Sequence, residues 1–414
     1  MPDIPAPHIF RGYGLELEYM IVRQDTLDVL PVTDEVLRSI AGSYVNEVDR
    51  GPYSWSNELV LHVIEVKNNA PLPSIAGLAE GFQEEIGFVS GILATMGACL
   101  MPTAMHPWMN PQTETKLWPH SNSRIYESYN RIFNCKGHGW SNLQSTHVNL
   151  AFQGDEEFAR LHAAIRLVLP VLPALAASSP FAGGRPSGLY DTRLEFYRAN
   201  QESIPSIIGS IIPERVFRKD DYARVINQKI YDDISPHDPD GILQHEWLNS
   251  RGAIGRFERS AIEIRLLDIQ ESPAADLAVA SGIIAALKAL DAGKWSPLDQ
   301  QKKMSETALH PIFLQAVKQG EHAVITDAEY LSLFGFPGKK ARAGEIWMHL
   351  YENTEEFWEK SLLPLRGTFL EILELGTLAG RLIKAAGQDM SRPHLEHIYR
   401  ELCRCLAHGE LFTA

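Results

Sequence analysis

Two glutamates stand two residues apart in an apolar run near the start of the chain. The run reads GLELEYMIV from Gly14 to Val22, and Leu17 alone separates Glu16 from Glu18. Side chains two residues apart in a β-strand point to the same face, so both carboxylates would project together. An ionised carboxylate is costly to bury unless it is paired or bound to a metal. The pattern therefore predicts either a solvated strand face or a polar cleft that holds a cation.

A second apolar run, SNELVLHVIEVKN, also carries acidic residues. Glu65 lies between two aliphatic residues, and Glu58 stands near the start of a strand that we predict over 58–67. Their spacing would put the two side chains on opposite faces of a regular strand. We therefore expect Glu58 to lie in a bend or a bulge.

Two further strand-like runs repeat the arrangement. STHVNLAF places His147 and Asn149 on one face, and SAIEIRLLDI places Glu263 and Arg265 on one face. Taken singly, a histidine in a strand is more often structural than a ligand, and a glutamate beside an arginine is more often a solvated ion pair. The recurrence in every clear strand favours a shared polar site over these separate explanations.

A sheet face lined by these side chains would bind hard divalent cations. Carboxylate oxygens with few nitrogens and no thiolates favour Mg²⁺ or Mn²⁺ over structural Zn²⁺. Such ions most often serve phosphoryl chemistry, where they neutralise charge on phosphate oxygens. The ligands predicted on this basis are Glu16, Glu18, Glu65, His147 and Glu263.

The elements that must position these residues alternate early in the chain and become helical late. The predicted order is a strand at 14–22, a strand at 58–67, a helix from Leu78 to Leu100, a strand from Ser145 to Phe152, a helix capped by Asp155 and running to Ala177, a loop from Ser178 to Arg193, a strand from Ser260 to Ile269, and helices beyond Pro273 with a break at Gly335 to Gly344. This order predicts an α+β fold, with an antiparallel or mixed sheet and helices packed on one side of it. We predict a catalytic core over 1–290 and a helical C-terminal region over 291–414.

The composition limits the partners. The 414 residues are 45% apolar and carry a formal net charge of −14, so a nucleic-acid or anionic-membrane partner, which needs a basic face, is not expected. ATP is compatible with this charge because a metal can bring phosphate into an acidic site. Small-molecule substrates are the expected partners.

The expected location is cytoplasmic. Four cysteines do not form a disulfide framework in a chain of this length. The N-terminal MPDIPAPHIFRG lacks the basic and then apolar pattern of a signal peptide. The longest apolar run, LVLPVLPALAA, is interrupted by prolines and is too short to span a bilayer.

Familiar nucleotide and metal motifs are absent from the sequence. Neither GxxxxGK[ST] nor GxGxxG after a strand occurs. The stretch GFPGKKARAG offers backbone amides for an anion, but a solvated loop is the more common structure for such a stretch. The C-terminal CRC sequence, with histidines near it, fits no metal-binding spacing.

In combination the strands resemble the bacterial glutamate–cysteine ligase and carboxylate–amine ligase family, whose catalytic fold is related to that of glutamine synthetase. GLELE is similar to the family's G-x-E-x-E strand, and NELVLHVIEV to its second strand. STHVNLAF resembles its His-Val-His strand, and GRFERSAIEIRLLDIQE resembles its glutamate-x-arginine strand. MPTAMHPW resembles its Thr-His-Pro turn at His106, and ALAASSPFAGGRPSGLYDTR its Ser-Ser-Pro-Phe loop that leads to Arg193. The resemblance covers about residues 10–285.

The resemblance implies ATP-dependent amide formation. The side-chain carboxylate of a glutamate-like acid would attack the γ-phosphate of ATP to give an acyl phosphate, and an amine would displace phosphate. Two or three Mg²⁺ ions, or Mn²⁺, would be held by Glu16, Glu18, Glu58, Glu65, His147 and Glu263. The implied catalytic residues are Arg265, which matches phosphate oxygens, and Glu65. Arg193, Asn149 and His106 are the implied substrate-binding residues.

Two departures from the family pattern concern the amine acceptor. Asn149 stands where the family often has a second histidine, and Ala104 and Met105 lengthen the Thr-His-Pro turn before His106. The acceptor, cysteine or another amine, stays open, as does glutamate itself as the acid. The alternatives are a non-catalytic relative that binds an amino acid or a nucleotide, and a metal-dependent hydrolase, which the missing HExxH motif disfavours. Apolar stripes in the helical C-terminal part could serve a homo-oligomer.

Overall fold

A computed structural model describes residues 6–413 of the chain. The prediction that no signal peptide is present rests partly on residues 1–5, which lie outside the described residues. The strands are β1 (Tyr13–Arg23), β2 (Glu47–Asp49), β3 (Tyr53–Asn57), β4 (Val63–Asn68), β5 (Ala98–Met101), β6 (Ser145–Ala151), β7 (Phe181–Ala182), β8 (Arg185–Pro186), β9 (Ala253–Arg256), β10 (Ala261–Asp268), β11 (Val324–Ile325) and β12 (Ala341–Arg342). An eight-stranded antiparallel sheet has the order β2-β3-β4-β1-β6-β10-β9, and β5 pairs with the end of β1.

Helices separate and follow the strands. They are α1 (Thr33–Ala41), α2 (Leu78–Thr95), α3 (Pro111–Glu114), α4 (Ser123–Phe133), α5 (His138–Ser141), α6 (Gly154–Val168), α7 (Pro173–Ala176), α8 (Thr192–Ala199), α9 (Lys219–Tyr222), α10 (Gln228–Ile234), α11 (Pro273–Asp291), α12 (Leu298–Gln301), α13 (Glu306–Gln319), α14 (Ala328–Leu333), α15 (Ala343–Glu352), α16 (Leu363–Leu375), α17 (Leu378–Ala386) and α18 (Arg392–His408). The α+β class predicted from the sequence is confirmed.

Alternation along the strands gives the sheet one apolar face and one polar face. Leu15 and Leu17 on β1, Ile64 on β4 and Val148 on β6 are at most 1% exposed. These side chains pack in one hydrophobic cluster with residues of α2, α6 and α11. The polar side chains between them therefore project away from the helices, on the opposite face.

The helix α11 forms the centre of the apolar layer. Its N-terminus is set by Pro273 in the first turn and by Ser272, whose side chain accepts a hydrogen bond from the Ala275 amide. By length and composition alone, α11 could cross a membrane. However, 89% of its apolar stretch is buried inside the protein. Helices α2, α6 and α16 pack around it.

The C-terminal helices pack on the same core. Residues of α13, α15 and α16 belong to the hydrophobic cluster that also contains the apolar face of the sheet. A second cluster joins α17 and α18 to Met20 and Val22 of β1 and to Met101 of β5. The division of the chain into 1–290 and 291–414 stays a prediction.

The strand predicted over 58–67 is wrong in its first half. Its β-structure begins at Val63, and the residues from Glu58 to His62 form the connection between β3 and β4. Glu58 therefore lies in a bend, as its spacing from Glu65 predicted. The connection includes an isolated bridge from Val60 to Leu117, which ties it to the loop after α3.

Both long early helices end sooner than predicted. The helix α2 stops at Thr95 because Gly97, at φ +66°, turns the chain into β5, which the sequence pattern had assigned to the helix. The next helix ends at Val168, and two prolines divide the rest into a 3₁₀ turn and α7. Asp155 does not cap that helix: Gln153 is the N-cap residue, and Asp155 accepts a hydrogen bond from the amide of Lys219.

Candidate active site

Strand register brings the predicted carboxylates together. On β1, Glu16 lies opposite His147 of β6 and opposite Lys67 of β4. Two residues further along the same strand, Glu18 lies directly opposite Glu65 of β4. Side chains of directly opposed residues in an antiparallel pair are within contact distance. The polar face is therefore a continuous patch across three neighbouring strands.

Two groups of possible metal ligands meet at one residue. Ligand atoms of Glu16, Glu65 and His147 all lie within 4.8 Å of one another, and so do those of Glu18, Glu58 and Glu65. Glu65 thus belongs to both groups. Carboxylate oxygens with a single imidazole are a donor set that suits Mg²⁺ or Mn²⁺. The bend that holds Glu58 brings it to this face despite its spacing from Glu65.

The charges in this patch favour a cation. Burial, and next the charges of Glu18 and Glu65, raise the pKa of Glu58 well above its ordinary value. Burial and the charge of Glu16 likewise raise the pKa of Glu65. Within residues 6–413 the Glu58 carboxylate forms no hydrogen bond or ion pair. Carboxylates crowded in this way are relieved when a metal ion binds between them.

The part of the patch on β6 is hydrogen-bonded internally. The Nδ1 atom of His147 lies 2.9 Å from Glu16 Oε2, and the Asn149 amide donates to Glu16 Oε1 over 3.1 Å. Glu18 accepts hydrogen bonds from the backbone amide and the hydroxyl of Ser145, at 2.8 and 3.0 Å. Burial raises the pKa of Glu16, but the hydrogen bond to His147 outweighs burial, so the pKa lies below its ordinary value. For His147, burial is outweighed by the hydrogen bond and charge of Glu16 and the charge of Glu18, and its pKa is raised.

A different arrangement holds Glu263 on β10. Its Oε1 atom accepts from Arg265 at 3.0 and 2.6 Å, and its Oε2 atom accepts from Arg256 at 2.7 Å. Burial acts against ionisation, yet the charges of Arg265, His147 and Arg256 lower the pKa of Glu263 to about 2. Glu263 lies 3.9 Å from His147 and belongs to neither ligand group. To bind a metal ion, a Glu263 oxygen would have to leave the guanidinium group of Arg256 or Arg265. The role of Glu263 as a metal ligand stays a prediction.

Arg193 is the second residue of the helix α8, next to the loop that follows β7 and β8. Its side chain is buried, and Nε donates to Asp268, which ends β10 and also accepts from Ser178 and Ser179. The Nη1 atom lies 3.5 Å from the Arg265 carbonyl oxygen, and Nη2 has no partner within residues 6–413. One donor of this buried guanidinium is thus without a partner, and the role of Arg193 in holding a substrate carboxylate stays a prediction.

His106 does not join the polar face. Its Nε2 atom lies 2.7 Å from the Leu27 carbonyl oxygen, and its Nδ1 atom accepts a hydrogen bond from the Met109 amide at 3.0 Å. Burial lowers its pKa to about 3, so the ring is neutral. Both ring nitrogens are engaged by backbone groups, and the side chain is fully buried. Substrate binding would require one ring nitrogen to leave its backbone partner, and the substrate-binding role of His106 stays a prediction.

A cavity of about 430 Å³ opens beside the patch. Its lining includes Glu16, Lys67, Asn68, Asn149 and Arg259. Its volume is in the range of pockets that hold small ligands. The predicted substrate-binding residue Asn149 therefore contacts both this cavity and the ligand group that contains Glu16.

Four residues of the site were missed from the sequence. Lys67 contacts Glu65, Ser56 donates to Glu65, Ser145 donates to Glu18, and Arg256 donates to Glu263. Strand alternation could have identified Lys67, two residues after Glu65, and Ser145, two residues before His147. Ser56 and Arg256 lie on β3 and β9, which were not predicted as strands.

The chain is similar in sequence to a known protein family and to several of its relatives. The family model described as glutamate-cysteine ligase family 2 matches residues 13–330. An uncharacterized protein of Archaeoglobus fulgidus is 32% identical over 400 residues, which is 96% of this chain and 99% of that protein. A putative glutamate–cysteine ligase 2-1 of Rubrobacter xylanophilus is 27% identical over 190 residues, which is 45% of this chain and 46% of that protein. The chain therefore matches about half the length of this putative ligase.

A solved structure has the same fold. Glutamate–cysteine ligase of Francisella tularensis, in complex with AMP, superposes with a TM-score of 0.57 and 14% sequence identity. The superposition covers 95% of this chain and 88% of that protein. The predicted relation of the catalytic fold to the glutamate–cysteine ligases is confirmed at the level of fold.

Proposed function

Because the chain belongs to glutamate–cysteine ligase family 2, we propose that it is an ATP- and Mg²⁺-dependent ligase that joins the side-chain carboxylate of glutamate, or of a close analogue, to an amine. The observation that carries the proposal is the position of Glu65, which is common to two groups of metal ligands on one sheet face. Two ions that share a ligand are suited to clamp a polyphosphate and to neutralise the charge that develops on transfer.

The residues that would hold the metal follow from the two ligand groups. Glu16, Glu65 and His147 would hold one Mg²⁺ or Mn²⁺ ion, and Glu18, Glu58 and Glu65 a second. When bound, these ions would offset the negative charge of phosphate oxygens. The catalytic role predicted for Glu65 would then be to hold both metal ions, because its carboxylate belongs to both ligand groups.

The transferred group would be bound by arginine. Arg265 is held by Glu263 through two hydrogen bonds, and its planar guanidinium matches phosphate oxygens. The free Nη2 donor of Arg193 supports its role in holding a substrate carboxylate. Asn149 would contact substrate from the wall of the cavity.

The reaction needs no nucleophile from the protein. An oxygen of the substrate carboxylate would attack the γ-phosphorus of ATP, forming an acyl phosphate and releasing ADP. The nitrogen of the amine would then attack the acyl carbon, and the C–O bond to phosphate would break. Positioning and charge stabilisation account for catalysis in such a reaction.

The partners of the protein are proposed on the same basis. They are small molecules, namely ATP, the acid and the amine acceptor, without nucleic acid or membrane, in the cytoplasm. The names of the partial relatives, putative glutamate–cysteine ligases, support glutamate as the acid. Asn149, in the position where the family often has histidine, leaves the acceptor to be identified by screening amines. Association into a homo-oligomer through the C-terminal helices is also a proposal.

A hydroxylamine assay tests the proposal. With ATP, Mg²⁺ and glutamate, we expect hydroxamate and phosphate in equal amounts, and neither product when any one of the three is left out. The Glu65→Gln variant, checked for folding by circular dichroism, serves as the control for contaminating activity. Absence of both products for glutamate and for a panel of other amino and dicarboxylic acids would contradict the proposal and favour a non-catalytic relative, which calorimetry would detect as binding without turnover.

A further inference from the structure

Lys67 places a positive charge where the two ligand groups meet. Its Nζ atom lies 2.9 Å from Glu65 Oε1, 3.0 Å from Ser56 Oγ and 2.9 Å from Glu47 Oε2. Glu65 is the residue common to both groups of metal ligands. The ammonium group therefore contacts the carboxylate on which both metal positions depend.

The contact between Lys67 and Glu65 competes with a metal ion. An oxygen that accepts a hydrogen bond from an ammonium group has less electron density to offer a cation, and the ammonium charge repels the ion. A divalent ion that binds Glu65 gains most if Lys67 moves away.

The Lys67 side chain borders open space into which its ammonium group can move. Its side chain is 26% exposed and lines the cavity of about 430 Å³, where Arg259 is the other basic residue. Arg259 is exposed and forms no ion pair within residues 6–413. The flexible four-carbon stem of a lysine lets the ammonium change partner without backbone movement. The cavity thus presents two cationic side chains beside the acidic patch.

We infer that Lys67 occupies Glu65 in place of a divalent cation, is displaced when that cation binds, and then binds the polyphosphate chain of a nucleotide in the cavity. The inference rests on the proposed function for the identity of the anion. It does not rest on turnover, because displacement from Glu65 requires only the metal ion.

Metal titration tests the displacement. Binding of Mn²⁺, followed by the loss of the electron paramagnetic resonance signal of the free ion, is compared in the wild-type protein, Lys67→Met and Lys67→Arg. We expect Lys67→Met to bind Mn²⁺ at least about tenfold more tightly, because the competing charge is gone. Lys67→Arg, which keeps the charge, should bind as the wild type does. Lys229→Met, which removes an exposed lysine paired with Asp233, controls for the change in net charge.

Two results of the titration would overturn the inference. One is Mn²⁺ binding by folded Lys67→Met that is equal to or weaker than binding by the wild type. The other is equal tightening in Lys229→Met, which would assign the effect to net charge. A lysine with a merely structural role would not give tighter metal binding when it is removed.

Lysine labelling tests the same inference in the unchanged protein. Reductive methylation with formaldehyde and a borohydride reagent, read by mass spectrometry, reports how free the Lys67 ammonium is. We expect Mn²⁺ to increase the labelling of Lys67 several-fold. Inorganic tripolyphosphate, added with enough Mn²⁺ to keep the free Mn²⁺ concentration constant, should reduce the labelling again. Unchanged labelling with Mn²⁺ would overturn the displacement, and failure of tripolyphosphate to protect would overturn the role in anion binding.

These measurements separate the inference from the proposed function. Tighter Mn²⁺ binding by Lys67→Met together with a negative hydroxamate assay would support the exchange at Glu65 and contradict the ligase. A positive hydroxamate assay with unchanged Mn²⁺ binding would support the ligase and overturn the exchange.

Discussion

The polar face of the sheet has two ends that differ in how their carboxylates are neutralised. At the Glu65 end, formed by Glu16, Glu18, Glu58, Glu65 and His147, acidic side chains outnumber the cations. At the Glu263 end, formed by Glu263, Arg256 and Arg265, one carboxylate is shared by two guanidinium groups. The pKa of Glu58 accordingly lies well above its ordinary value, because of burial and neighbouring charges, while that of Glu263 falls to about 2.

The difference in neutralisation suggests different functions for the two ends of the polar face. At the Glu65 end, the Glu58 carboxylate is buried beside Glu18 and Glu65 without a cationic partner within residues 6–413, so an external cation would relieve its repulsion. A carboxylate that two arginines already satisfy orients those arginines and contributes to stability. The proposed metal site therefore lies at the Glu65 end, and the guanidinium groups proposed to bind phosphate lie at the Glu263 end. Substitutions at the two ends should therefore have opposite effects on the metal-free protein.

The largest effect is expected for Glu65→Gln. Loss of the carboxylate common to both ligand groups should lower hydroxamate formation by on the order of a thousandfold or more, because both proposed ions lose a ligand. Glu84→Gln on the exposed side of α2 makes the same charge change away from the site and should keep full activity. Activity of Glu65→Gln within tenfold of the wild type would show that the shared ligand does not organise the site.

Glu263→Gln should lower both stability and activity. The change leaves Arg265, whose side chain is 18% exposed, without an ion-pair partner. Arg256, 12% exposed, keeps only its longer contact of 3.3 Å with Glu246. Removing one partner of a buried pair typically costs about 3–5 kcal/mol in the free energy of unfolding. We expect a lower urea midpoint and a loss of hydroxamate formation of about a hundredfold, since Arg265 is no longer oriented. An unchanged midpoint would mean that water or another carboxylate replaces Glu263.

Glu58→Gln should have the opposite effect on the metal-free protein. It removes a charge that Glu18 and Glu65 repel, so the free energy of unfolding at neutral pH should rise by about 1 kcal/mol. Mg²⁺ should raise the urea midpoint of the wild type but raise that of the variant less, because one ligand is lost. A lower free energy of unfolding for the metal-free variant than for the metal-free wild type would contradict the view that repulsion among carboxylates destabilises the Glu65 end.

The two ends should also respond to pH in opposite directions. The folded-state pKa of Glu263 is about 2, below its ordinary value of 4.5, so its contribution to stability is present above pH 4.5 and is lost as the pH falls toward 2. Glu58 has a raised pKa in the folded state, so the unfolded chain loses the proton first and stability declines as the pH rises above 4.5. Urea midpoints of the metal-free wild type and of both variants, measured from pH 3 to 8, would show the stability difference for Glu58→Gln growing with pH and that for Glu263→Gln shrinking toward acid. Parallel curves for the three proteins would contradict this assignment.

Much of this contrast was predictable from strand alternation. The two-residue spacing identified Glu16 with Glu18, His147 with Asn149, and the residue pair that contains Glu263, and it predicted the bend at Glu58. The pairing partners were not predictable, because Glu18 meets Glu65 only through the register between β1 and β4. Alternation states which side chains share a face, while register depends on contacts between distant segments.

The residues and contacts that were missed share a physical cause. The short strands β2, β3 and β9 carry too few residues for a clear alternation, so Ser56 and Arg256 were not assigned to the sheet. The role given to His106 came from a motif, but the fold directs both its ring nitrogens to backbone groups. Arg193 pairs with Asp268, which lies far along the chain, and no local pattern reveals that ion pair.

The smallest effect is expected at Asn149, which borders both ends because it lies opposite Glu263 and donates to Glu16. Asn149→Ala removes the amide that donates a hydrogen bond to the Glu16 carboxylate and helps to position it, so Mn²⁺ binding should weaken by about fivefold, equivalent to about 1 kcal/mol. Asn149→His supplies an imidazole, which is a better ligand than an amide, and should strengthen Mn²⁺ binding by a similar factor. Opposite changes at one position, read by the same Mn²⁺ titration, would show that the ligand group around Glu16 extends to β6 beyond His147. Equal weakening by both substitutions would instead mean that the Asn149 amide only orients the Glu16 carboxylate, so that the Glu65 end stops at His147.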